Sequence, residues 1–181
     1  MIETIKVVDL STAKDIAAGY KDNSFTAWIS TLDAEDEQAM YNLKRKFGRR
    51  GVKHLGIHFT DSDDYDPHAE MTGPNRHDIE AIVHFFTALK MQDTQHYVGV
   101  NCFAGIARSS AVAMIGWMIA CYQPEVALGK VLAVRPVAWP NERILRLYDE
   151  LTGTNSQEFV VNWKAEERRR PVFSPYLNFD T

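Results

Sequence analysis

Cysteine is scarce in this chain: of its 181 residues only Cys102 and Cys121 are cysteines. Two are too few for a disulfide scaffold, so stability must come from a packed core in a reducing compartment, and a cytoplasmic location is expected. Long apolar runs are missing as well. The longest, from Ala111 to Cys121, falls short of the roughly 20 residues needed to span a bilayer and reads instead as a central buried helix. Met1-Ile2-Glu3-Thr4-Ile5-Lys6 lacks the basic start, apolar stretch and small-residue cleavage site of a secretory signal. A formal net charge of −4 supplies no general attraction to nucleic acid or anionic lipid, so neither is an expected partner. No internal repeat or low-complexity stretch breaks the sequence, and its length suits one domain with a full core.

What is present alternates between strand-like and helix-like segments. Ile5 to Leu10, Phe25 to Leu32, Val52 to Phe59 and His96 to Val100 read as strands. Between them, Ser11 to Tyr20, Asp33 to Phe47 and Pro74 to Met91 read as helices. The first opens on a Ser11 cap, the second on an acidic first turn, the third on a proline. Further helices follow at Ser109–Tyr122, Pro124–Val134 and from Glu142 to a stop at Gly153. This alternation predicts an α/β domain over residues 1–153, with a mostly parallel central sheet flanked by helices. Residues 154–181 form a tail of mixed charge and scattered aromatics, expected to drape over the domain. The basic cluster Lys44, Arg45, Lys46, Arg49 and Arg50 reads as a solvated helix end. His77 and His84 read as ordinary helix residues, and Cys121 as a packed core thiol.

The informative stretch is Cys102-Phe103-Ala104-Gly105-Ile106-Ala107-Arg108-Ser109, set between a strand and a buried helix. Successive backbone N–H groups in a tight turn make a concave anion site, and the helix N-terminus behind it adds unpaired donors. The same field favours the thiolate form of Cys102, the form that attacks. Arg108 offers a planar fork for two phosphoryl oxygens, Gly105 permits a positive φ, and Ser109 can donate to the sulfur.

This spacing resembles the signature loop of the cysteine-dependent protein tyrosine phosphatases, most closely the dual-specificity type. Cys102, Gly105, Arg108 and Ser109 match its pattern; Asn101 departs from it, standing where the family has histidine. Bacterial members of the dual-specificity-like group are also similar over Arg135, Pro136, Pro140, Asn141, Asp149, Leu151 and Gly153, where Asn141 is expected to brace the phosphate loop. The resemblance implies a protein tyrosine phosphatase-like fold and hydrolysis of phosphomonoesters through a cysteinyl-phosphate, with neither metal nor organic cofactor. Cys102 would be the nucleophile. Arg108 and the loop residues Phe103, Ala104, Gly105, Ile106 and Ala107 would bind substrate, and Ser109 would assist the thiolate. In that chemistry an aspartate upstream of the cysteine protonates the departing oxygen. Asp61, directly after the third strand, is the first choice, with Asp63, Asp64 and Asp66 in competition.

Apolar loop residues and the absence of loop lysines favour a protein phosphoester, phosphotyrosine first, over a multiply phosphorylated lipid. A small phosphorylated metabolite and an RNA end stay open. Two other readings do too: a phosphate-binding module without activity, motivated by Asn101, and a rhodanese-type sulfurtransferase.

Overall fold

The computed structural model describes residues 1–22, 24–62 and 73–169. Four strands, β1 (Ile2–Val8), β2 (Ala27–Leu32), β3 (Lys53–His58) and β4 (His96–Asn101), form one sheet in the order β1-β4-β2-β3. Every neighbouring pair is parallel. The C-terminal ends of the strands therefore share one rim, the place where open α/β sheets bind ligands. Along that rim the chain sets Asp9 after β1, Asp33 after β2, Asp61 just past β3 and Cys102 after β4.

Helices cover both faces. Helices α1 (Leu10–Ala18) and α2 (Glu37–Arg49) bury Leu10, Ile16, Leu43 and Phe47 against Trp28 and Leu32 on one face. On the other, α3 (Arg76–Lys90), α4 (Arg108–Ile119), α5 (Pro124–Val134) and α6 (Glu142–Thr152) pack with Ile29, Val98 and Val100. Parallel strands covered on both sides are expected to be apolar throughout, and all six residues of β2 are buried. Residues 108 to 118 of α4 are buried on every side, which marks it as the central helix. Helix α7 (Ser156–Arg169) lies against α6, with Val160 in the core and Lys164 reaching Glu142 at 2.9 Å. Residues 170–181, the end of the tail, lie outside the described part.

Two local expectations are corrected. Helix α1 starts earlier than its serine suggests: the carboxylate of Asp9, not Ser11, accepts from the Thr12 N–H at 2.7 Å. Its charge makes it the stronger partner for an orphan donor. Cys121 is exposed, with φ 79, rather than packed. Helix α4 ends at Ile119, so the apolar periodicity that carried Cys121 inward stops two residues too soon.

Trp28 is the anchor of β2. It is fully buried, stacked on Phe47 at 4.6 Å and edge-on to Phe25 at 4.9 Å. Its register partner on β4 is Gly99, and a Cβ at that position would lie 2.1 Å from two carbons of the indole ring. Gly99→Ala is therefore expected to destabilise the fold by about 1–3 kcal/mol. Urea denaturation should show a lowered midpoint with little change in slope.

Candidate active site

The loop from Cys102 to Arg108 joins β4 to α4, and its shape is set from outside. The Leu10 N–H donates to the Phe103 carbonyl at 3.0 Å. Arg135 donates through Nη2 to the Ala104 carbonyl at 2.9 Å and through Nε to the Gly105 carbonyl at 3.0 Å. The Trp139 N–H takes the Ile106 carbonyl at 3.0 Å, joined there by the Ser110 hydroxyl, and the Asn141 N–H takes the Ala107 carbonyl at 3.2 Å. Five consecutive carbonyls are thus bonded outward. A planar trans peptide points its N–H opposite to its C=O, so the N–H groups of residues 104–108 turn to the inside of the loop. Gly105 shows the result: its N–H donates to Cys102 Sγ at 3.2 Å. It also has φ 68, and a Cβ there would meet Asp9 N and the Val8 carbonyl carbon at 2.7 Å, so glycine is required twice over.

Cys102 is 2% exposed and its Sγ lies 3.2 Å from the Ser109 hydroxyl. The structure therefore brings together Cys102, the loop amides, Ser109 and Arg108. Arg108 is buried and held by two carboxylate contacts from Asp33, at 3.0 and 3.1 Å, and by the Phe59 carbonyl at 2.7 Å. Asp61 is exposed at the same rim, and its Oδ1 accepts from Asn141 Nδ2 at 2.8 Å. Asp63, Asp64 and Asp66 lie outside the described residues. Among the described residues no group of three His, Cys, Asp or Glu side chains comes together as a metal set.

Sequence reasoning did not find Asp33, which read only as the acidic start of a helix. A usable signal was present, since it directly follows β2, at the same end of the sheet as Asp61, which comes three residues after β3. Asn141 does more than bracing: it caps α6 through Ile144 N–H at 3.0 Å while its amide tethers Asp61.

Asn101, the departure from the pattern, is fully buried and built into the sheet. Its Oδ1 accepts from Trp28 Nε1 at 2.8 Å and from the Ser30 hydroxyl at 2.7 Å. Since the indole can only donate, the amide orientation is determined, and its Nδ2 faces the Cys102 carbonyl at 3.4 Å. Ser30 spends its proton on Asn101, so His54 Nε2, 3.0 Å away, must be the donor in that pair. His54 Nδ1 is then a bare, buried acceptor with no partner among the described residues.

The comparisons agree with this geometry at the level of fold. No family model and no curated protein matches the chain. Solved structures do, and they define a cysteine-dependent phosphatase fold of the protein tyrosine and dual-specificity kind. Human DUSP28 superposes with a TM-score of 0.56 at 17% identity, over 90% of this chain and 94% of that one. The PTP-2 phosphatase of Cydia pomonella gives 0.58 at 19% identity, over 80% and 83%. PTPMT1 in complex with PI(5)P gives 0.53 at 16%, over 91% and 94%.

Protonating His54 would place a proton on the buried, unpartnered Nδ1. Burial, with Lys44 nearby adding repulsion, lowers its pKa from 6.5 to about 4. The folded state thus binds this proton less readily than the unfolded chain. Its contribution is full above pH 6.5 and is lost as the pH falls toward about 4, amounting to about 3 kcal/mol. Denaturation at pH 7, 5.5 and 4 should show that loss in the wild type and a flatter profile in His54→Gln.

Proposed function

We propose that the protein hydrolyses phosphate monoesters through a cysteinyl-phosphate intermediate, acting as a protein tyrosine or dual-specificity phosphatase. The observation that carries this reading is the row of five outward-bonded carbonyls, which turns a ring of N–H groups toward the space in front of Cys102. Such preorganised donors stabilise a phosphoryl group as its charge redistributes, without reorganising during the reaction. In the first step the Cys102 thiolate attacks phosphorus, a P–S bond forms and the P–O bond to the leaving group breaks. Asp61 gives its proton to the departing oxygen. In the second, water attacks phosphorus, Asp61 takes its proton, and the P–S bond breaks to release inorganic phosphate and the thiolate. Ser109 donates to that sulfur as it leaves. The tether from Asn141 holds one Asp61 oxygen, which fixes the carboxylate without removing the second oxygen from use.

An aryl phosphoester is the favoured substrate. Phe103, the second residue of the loop, is 62% exposed and lines, with Asp33, Glu35 and Asp36, a hollow of about 300 Å³. An exposed phenyl ring at the mouth offers a face or edge to a tyrosyl ring. No side chain of Phe103, Ala104, Ile106 or Ala107 is cationic, which disfavours a second phosphate at the loop. This reading takes residues 1–153 as the catalytic unit, with α7 against α6, and the steps above call on neither a metal nor an organic cofactor. Its free thiol fits the cytoplasm.

Aryl phosphate hydrolysis, with thiosulfate plus cyanide as the control, separates a phosphatase from a sulfurtransferase and from an inactive binding module. Cys102→Ser should abolish turnover while leaving phosphate or vanadate binding measurable; near-wild-type hydrolysis would refute the nucleophile. Asp61→Asn should slow hydrolysis by about 10²–10⁴-fold, most with poor leaving groups, and remove the basic limb of the pH profile. The same phenotype in Asp66→Asn instead would move the acid along the loop.

A further inference from the structure

The segment between α5 and α6 holds the loop that carries Cys102, and it is in turn held by α7. Trp139 and Asn141 donate their N–H groups to the Ile106 and Ala107 carbonyls, at 3.0 and 3.2 Å, and the Asn141 side chain ties Asp61. Residues 138–141 belong to neither helix, so their path is set by what they touch. Lys164 of α7 meets both ends of this stretch. Its Nζ lies 2.9 Å from Glu142 Oε1 and stands 5.1 Å over the Trp139 ring. Arg168, one turn on, stands over the same ring at 5.5 Å, and Trp163 packs beside it with ring centroids 5.4 Å apart.

Lys164 is only 6% exposed. Burying an ammonium is costly unless a carboxylate and further partners compensate it. A helix that merely covered apolar area would not need a buried cation; here the charge is spent on Glu142 and on the face of an indole. Helix α7 is also seated independently of this lysine. The Asp149 carboxylate of α6 accepts from the Ser156 and Gln157 N–H groups, at 3.0 and 2.8 Å, and Val160 lies in the core. Lys164 therefore reaches Trp139 and Glu142 from a fixed base.

We propose that Lys164 is a positioning residue for the Cys102 loop. Its ammonium clamps Trp139 to Glu142. That fixes the two N–H groups that hold the Ile106 and Ala107 carbonyls outward, together with the Asn141 amide that ties Asp61. The proposal rests on the phosphoester reading of the loop and extends the catalytic unit from residue 153 into α7. The competing role is that Lys164 only fastens α7 to the domain. Its loss would then loosen α7 and leave the loop as it was. The two roles differ in which amides respond.

The test is amide hydrogen exchange by NMR on the full chain, beside kinetics with p-nitrophenyl phosphate and calorimetry with inorganic phosphate, for the wild type, Lys164→Met and Glu142→Gln. Lys164→Met keeps the stem and loses the ammonium. The Trp139 and Asn141 amides should then exchange about tenfold faster relative to those of Val98 and Val100, whose strand reports the stability of the whole fold. A general loss of stability would speed both sets alike. In the same variant kcat should fall about tenfold, because the loop amides and Asp61 leave their productive geometry. Glu142→Gln keeps an acceptor oxygen without the charge and should give the same pattern at about threefold. If Lys164→Met does not fold, Glu142→Gln decides. Unchanged relative exchange at Trp139 and Asn141, or an unchanged kcat, overturns the positioning role and leaves the phosphoester reading standing. A wild type that neither binds phosphate nor cleaves an aryl phosphate overturns both.

Discussion

The structure depends on where five peptide carbonyls point. Residues 103–107 make no ladder or helix among themselves, so their carbonyls find partners beyond the loop, that of Ala107 in the Ala111 N–H of α4 as well as in Asn141. The partners come from the start of α1, from Arg135, from the 139–141 segment and from Ser110. Because a peptide is planar, satisfying its carbonyl on the outside orients its amide on the inside. A ring of backbone N–H groups turned to the inside of the loop is the consequence. No side chain lining it needs to carry charge, which is why apolar Phe103, Ala104, Ile106 and Ala107 are compatible with it.

The parallel sheet supplies the rest. With all four strands running the same way, every strand ends on one rim, and the acidic residues that follow three of them converge near the cysteine that follows the fourth. Each has a separate task in the geometry: Asp9 caps α1 beside Gly105, Asp33 holds Arg108, and Asp61 is tethered to Asn141. Asn141 couples three of these parts, since its backbone holds the loop while its side chain both caps α6 and ties Asp61.

Asn101 shows how a departure from a family pattern is absorbed. Its amide oxygen collects two donors from β2, and a chain of hydrogen bonds then runs through Ser30 to a neutral His54. The polar side chain is thereby spent on joining β4 to β2. Support for the thiol comes from Ser109 and Gly105 instead.

The sequence by itself determined the alternation of strands and helices, the position of the loop between β4 and α4, and the need for Gly105 inside it. These are local properties: hydrophobic periodicity sets each element, and a tight turn before a helix has few chemical solutions. It also marked Cys102, Arg108 and Ser109, because they lie within eight residues of one another. Only the tertiary structure decided which distant groups complete the site. The pairing of Asp33 with Arg108 joins residues 75 apart in sequence, and that of Asn141 with Asp61 joins residues 80 apart. No periodicity encodes such pairs; they arise because parallel strands deliver their ends to one rim. Helix ends behaved likewise. The cap of α1 and the exposure of Cys121 were decided by where the chain had to turn, and that follows from the packing of neighbouring elements rather than from residue preference.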